Sequence, residues 1–114
     1  MNDNYKTDQW VLDVFANYFD PCPLNENPEI NGLNIEWKDH TFVNPPYSNP
    51  LPWIQKAITE SSKGKTIVML LKMDTSTRWF KLLQENNSKF LWINGRLKYN
   101  KGKPAPFPSM IAVV

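Results

Sequence analysis

The chain has 114 residues, room for a single domain over 1–114 with one core, which excludes a catalytic domain joined to a separate recognition domain. Apolar residues are 41% and charged ones 21%, with five Trp, six Phe and four Tyr, an aromatic load that excludes intrinsic disorder. The net charge of +2 is unevenly spread: residues 1–60 hold 3 basic and 9 acidic side chains, whereas residues 72–103 hold 8 and 2.

Asp8 stands where it can cap a helix running to about Phe19, because Trp10, Val11, Val14, Phe15 and Tyr18 recur at helical spacing. Asp20-Pro21-Cys22-Pro23 leaves that helix, since each proline fixes its own φ and pushes its predecessor extended. Residues 24–36, rich in Asn, Glu and Gly, read as loop. Thr41-Phe42-Val43 is a short strand that stops at Asn44-Pro45-Pro46-Tyr47-Ser48-Asn49-Pro50. A second helix begins near Leu51 with Pro52 in its first turn, gathers Trp53, Ile54, Ala57 and Ile58 on one face, and ends at Lys63-Gly64.

Thr66 to Leu71 is a continuous apolar run of strand length, suited to burial on both faces. Asp74-Thr75-Ser76 offers caps for a third helix, Thr77 to about Gln84, burying Trp79, Phe80 and Leu83. Phe90 to Ile93 is a strand, Asn94-Gly95 a turn, and Arg96 to Tyr99 its returning hairpin arm. After a turn at Lys101-Gly102-Lys103-Pro104, Met110 to Val114 closes the chain as an apolar strand. This alternation predicts an α/β layered domain with a largely parallel sheet and an antiparallel hairpin edge.

One cysteine and one histidine exclude an internal disulfide and a Cys/His metal site, so no metal is expected. No apolar run reaches the ~20 residues of a membrane span, and MNDNYKTDQW lacks a signal-peptide shape, so the expected setting is the cytoplasm with no membrane contact. Cys22 reads as a small buried side chain and His40 as ordinary surface. The basic last third would meet a polyanion, with Lys72, Arg78, Arg96 and Lys98 as its contacts; a solvated surface explains the same charges.

In such a sheet, ligands sit beyond the carboxyl ends of strands. Asn44-Pro45-Pro46-Tyr47 follows a strand directly. Two prolines remove two donors and hold the chain extended, so carbonyls project with few local partners. Asn44 adds an amide oxygen and Tyr47 a flat aromatic face. Together these suit a planar NH2 group and the ring that bears it. Accepting both amine hydrogens draws the nitrogen towards tetrahedral geometry and frees its lone pair, without a strong general base. A proline-stiffened turn is the alternative.

Asn44-Pro45-Pro46-Tyr47 resembles the (Asp/Asn)-Pro-Pro-(Tyr/Phe) motif of amino-group methyltransferases that use S-adenosylmethionine. Trp10-Val11-Leu12, Asp20-Pro21-Cys22, Gly32-Leu33 with Trp37, Trp53 with Lys56-Ala57, Asp74-Thr75 with Trp79-Phe80, Gly95-Arg96-Leu97 and Pro106-Phe107-Pro108-Ser109 occur in the order found in phage-type DNA N-6-adenine methyltransferases. The resemblance implies a compact, shortened Rossmann-like methyltransferase fold acting on double-stranded DNA, in the host cytoplasm if the gene is a phage's. It implies that Asn44 and the Pro45 carbonyl hold the target amine, that Pro46 shapes the loop, and that Tyr47 stacks on a flipped adenine. It places Asp20, Pro21 and Cys22 at the S-adenosylmethionine site, with Thr7 and Trp10 lining the methionine end. Asp20 capping a turn and Trp10 lying in the core are the structural alternatives.

The chain also departs from that pattern. No glycine follows Asp20 until Gly32, and only 23 residues separate Asp20 from Asn44, too few for two further strand–helix units at ~30 residues each. Either a loop such as Pro28 to Trp37 completes the cofactor site, or a second subunit of a homo-oligomer does, or cofactor binding is weak or lost. Two other readings therefore stand beside the first. One is a silent relative that binds DNA or a host protein; the other is an enzyme acting on cytosine, an RNA base or a glutamine amide.

Overall fold

The computed structural model describes residues 7–22, 31–99 and 103–114. Pro23, most of the loop read over 24–36, and Lys101-Gly102 of the last turn lie outside the described residues. In chain order the elements are α1 (Gln9–Val14), a 3-10 turn (Gly32–Asn34), β1 (His40–Val43), α2 (Leu51–Ser61), β2 (Thr66–Lys72), α3 (Arg78–Glu85), β3 (Lys89–Trp92), β4 (Lys98–Tyr99), β5 (Lys103–Pro104) and β6 (Ser109–Val113).

Four strands form one sheet in the order β1-β2-β6-β3, and β4 pairs with β5 separately. The middle strands are the two apolar runs, and alternation assigns their side chains to two layers. Ile67, Met69 and Leu71 of β2, with Met110 and Ala112 of β6, pack against Trp53, Ile54 and Ala57 of α2 and Phe80 and Leu83 of α3. Val68, Leu70 and Ile111 face the other way, onto Val11 of α1, Leu97 and Phe107.

The expectation of a largely parallel sheet is corrected by the pairings. Among the described strands only β1 and β2 pair in parallel (Phe42 opposite Val68); β6 is antiparallel to both β2 (Leu70 opposite Ile111) and β3 (Leu91 opposite Ile111). The reason is that the closing strand inserts between β2 and β3, where it is buried on both faces. That position also overturns the hairpin expected at Asn94-Gly95. The chain does turn there, with Gly95 at φ 75°, but β3 takes β6 as its partner and β4 takes β5 (Lys98 opposite Pro104). A fully apolar strand buries more surface beside β3 than the short Arg96–Tyr99 arm could.

The first helix is also shorter than its periodicity suggests. Six residues are helical; the chain then turns so that Phe19 forms a parallel bridge to Thr41, its N–H donating to the His40 carbonyl at 2.9 Å. Trp10 is therefore not a core residue but 45% exposed. Asp8 precedes the helix without capping it, and its carboxylate instead accepts the Lys98 N–H at 2.8 Å. The third helix is capped by Thr77, whose hydroxyl accepts the Phe80 N–H at 3.2 Å.

Gly32 is required by close approach. A Cβ there would lie 2.0 Å from the Pro21 carbonyl oxygen and 3.0 Å from the Trp53 ring. The Gly32 carbonyl in turn accepts the Trp37 indole N–H at 2.8 Å. Gly32→Ala should cost about 1–3 kcal/mol, read as a lowered urea midpoint, because backbone rather than a flexible side chain must yield.

Candidate active site

Phe19, β1 and β2 run in the same direction, so the segments following them emerge on one rim of the sheet. These segments are Asp20-Pro21-Cys22, Asn44-Pro45-Pro46-Tyr47 and Lys72-Met73-Asp74. The start of β6 meets them, Ser109 pairing with Lys72, and β3 ends there, Trp92 pairing with Met110. The fold thus gathers at one edge what the sequence holds far apart.

Asn44 directly follows β1 on this rim. Its Nδ2 donates to Thr7 Oγ1 at 2.8 Å, which fixes the amide plane. Its Oδ1 is buried and has no hydrogen-bond partner among the described residues. An unmet buried acceptor costs about 1–3 kcal/mol, so a fold that keeps one is suited to a ligand that donates.

Beside it lies a cleft of about 120 Å³ lined by Pro45, Tyr47, Leu71, Lys72, Asp74 and Trp79, among others. The Tyr47 ring is braced edge-on by Phe107, centroids 4.7 Å apart at 65°. Lys72 Nζ sits 5.9 Å from the Phe107 centroid and 4.0 Å from Asp74 Oδ2. Hydrogen bonds from the Ser76 hydroxyl (2.5 Å) and N–H (3.1 Å) hold the Asp74 carboxyl below its ordinary range. At neutral pH Asp74 is therefore an acceptor and not a proton donor.

Of the residues assigned to the cofactor, Asp20 is exposed and its Oδ1 accepts the Cys22 N–H at 2.8 Å, the turn-capping contact weighed from the sequence. Pro21 is buried under Gly32, and Cys22 is half-buried against the core. Thr7 is bonded to Asn44, and Trp10 stands exposed on α1. His40 is exposed, as expected, with its ring against the edge of Tyr18.

Among the basic residues, Lys72 lines the cleft and Arg78 is exposed at the first position of α3. Arg96 donates to the Ala105 carbonyl at 3.3 Å, and Lys98 is exposed on β4. Phe107, Asp74 and Trp79 were not legible as site-forming. Asp74 read as a cap and Trp79 as core, and the only sign for Phe107 was its place between two prolines in the family-like order.

A mixed sheet whose rim carries a Pro-Pro loop beside a buried amide oxygen that no described residue satisfies defines the class: an α/β protein with an acceptor-bearing loop at the sheet edge. Residues 2–107 match the family model described as DNA N-6-adenine-methyltransferase (Dam). The chain is 36% identical over 114 residues to the "DNA N-6-adenine-methyltransferase" of Haemophilus phage HP1 (strain HP1c1), covering 85% of this chain and 66% of that protein. It is 36% identical over 78 residues to the protein of the same name from Escherichia phage T1, covering 67% of this chain and 33% of that one. No solved structure matches. The chain belongs to the DNA N-6-adenine-methyltransferase family, and it spans only part of the length of either relative.

Proposed function

We propose that the chain methylates the exocyclic amine of adenine in DNA, using S-adenosylmethionine, with the target base flipped from the duplex into the cleft beside Tyr47. The orphaned Oδ1 of Asn44 carries this reading. In this reading the buried acceptor beside the Pro-Pro loop, its amide held by Thr7 on the other side, takes one amine hydrogen while the Pro45 carbonyl takes the second. Two accepted hydrogens leave the nitrogen lone pair free to act, and no ionised base has to be present. Tyr47, braced by Phe107, offers a face for the ring. Lys72, Arg78, Arg96 and Lys98 would meet phosphates.

The sheet supports a shortened Rossmann-like reading: β1, β2 and β3 point one way and the reversed β6 lies between two of them. Beyond β1 only Phe19 is paired among the described residues. The rim nonetheless fits the cofactor's donors. The Asp20 carboxylate is exposed one residue past Phe19, able to accept from ammonium or hydroxyl groups, and Phe19 itself bridges Thr41 of the strand that leads into Asn44. When bound there, S-adenosylmethionine supplies an electrophilic methyl group. Pro21, closed over by Gly32, gives the turn a fixed backbone against which to bind it.

The test is transfer from methyl-labelled S-adenosylmethionine to unmethylated duplex DNA, with the product nucleosides separated. N6-methyladenine is the expected product; methylcytosine alone, or no transfer, rejects the proposal. Calorimetry adds a check on the cofactor site. Asp20→Ala should weaken S-adenosylmethionine binding at least about 10-fold, the loss of a hydrogen bond to a charged group.

A further inference from the structure

A second feature of the rim is not used by the transfer chemistry. Phe80, Phe90 and Trp92 form a stacked ladder, Phe80 to Phe90 at 4.9 Å and 29°, then Phe90 to Trp92 at 5.9 Å and 8°. The ladder starts in the core and ends at the surface, where Trp92 is 56% exposed. Its indole is thus braced on one face and open towards solvent. Next to it, Trp92, Ile93, Asn94, Gly95, Arg96 and Pro108 line a shallow groove of about 430 Å³. That lining contains one cation and no carboxylate. Arg96 is oriented by its bond to the Ala105 carbonyl, which uses one of five guanidinium donors.

A backbone hydrogen bond ties the groove's Pro108 to the segment that lines the cleft beside Tyr47. The Pro108 carbonyl accepts the Met73 N–H at 2.9 Å, between cleft residues Lys72 and Asp74, and neighbouring Phe107 touches Tyr47. A rigid exposed indole beside an oriented guanidinium matches a nucleotide, a π-face next to an anion.

We infer that the Trp92–Arg96 groove binds a nucleotide of the DNA strand beside the target adenine, its base stacked on Trp92 and its phosphate on Arg96. This rests on the proposed function and deepens it, since it adds a second contact for the strand entering the cleft. Stacking on one exposed aromatic is worth about 1–3 kcal/mol by substitution, roughly 5- to 150-fold in affinity.

The probe is an oligothymidylate of about 12 nucleotides, which has no exocyclic amine to engage Asn44, set against a fully abasic strand of equal length. The intact chain should prefer the thymidylate. Trp92→Leu keeps an apolar cover on Phe90 but removes the platform. It should lose roughly 5- to 150-fold on the thymidylate and nothing on the abasic strand, with an unchanged urea midpoint, and Trp92→Phe should restore the preference. Arg96→Ala should weaken both strands and reduce the salt slope by about one phosphate.

Equal losses on both strands for Trp92→Leu, or no loss on either, overturn the inference, as does an intact chain that binds neither strand. If adenine methylation persists in those cases, the enzymatic reading survives alone. A Trp92-dependent thymidylate preference without methyl transfer would keep the groove and reject the enzyme.

Discussion

Asn44→Ala should lower the turnover of adenine methylation by about 10²–10³-fold, the usual effect of deleting one preorganised group that stabilises a transition state. The protein should remain as stable as the parent or more so. Removing the side chain forfeits the bond to Thr7 but also removes a buried oxygen that no described residue satisfies, and these terms oppose each other. Loss of rate without loss of stability separates a site role from a packing role. Asn44→Asp sharpens the test. A carboxylate keeps the acceptor, and the Thr7 hydroxyl can reverse and donate to it, so activity should stay within about 10-fold of the parent. Thr7→Val leaves the amide in place but frees its rotation, and should produce a smaller fall than Asn44→Ala. Steady-state rates with urea midpoints for the four proteins decide the matter; an Asn44→Ala enzyme at parental rate would reject the mechanism.

Much of this site was legible because its chemistry is written locally. A strand ending in Asn44-Pro45-Pro46-Tyr47 announces a rim and an acceptor loop without tertiary information. The buried strands Thr66–Lys72 and Ser109–Val113 were legible for the same reason, since continuous apolar runs of that length have few other uses. Their pairing was not. Nothing in Met110-Ile111-Ala112-Val113 says that it inserts between β2 and β3, and an Asn-Gly turn favours a hairpin until a better-buried partner competes for the strand edge. The exposure of Trp10 was not legible for a related reason: helical spacing describes a face but not where the helix stops. Thr7 was assigned to the cofactor on resemblance, whereas its bond to Asn44 joins residues 37 apart in the chain and is set by the tertiary fold. The Tyr47–Phe107 and Lys72–Phe107 contacts likewise exist only once β6 has returned to the rim.

Glu60→Ala should destabilise the protein by about 3–5 kcal/mol, the penalty for breaking a buried ion pair from one side. Glu60 is fully buried and bonded to Lys65 at 2.5 Å and Lys56 at 3.1 Å, and accepts the Trp37 N–H at 3.3 Å. Burial is the largest single influence on its carboxyl and pushes the pKa up; the bonds from Lys65, Lys56 and Trp37 together outweigh it and hold the value at about 2 against 4.5. Lys65, held above its ordinary value chiefly by Glu60, would be left with the exposed Glu36 and the Trp37 carbonyl. Because the folded pKa of Glu60 is depressed, its contribution is complete above pH 4.5 and disappears as pH falls towards 2. Urea midpoints should therefore separate parent from Glu60→Gln by a constant gap at neutral pH, closing across that acid window; a gap that persists at pH 2 would refute the assignment. The consequence reaches the rim. Glu60 fixes Trp37, the Trp37 indole holds the Gly32 carbonyl, and Gly32 is packed on Pro21 beside Asp20. Loosening that chain of contacts should weaken S-adenosylmethionine binding in Glu60→Gln although Glu60 touches no part of the cleft, while Lys81→Ala, at an exposed pair with Glu85, should leave it unchanged.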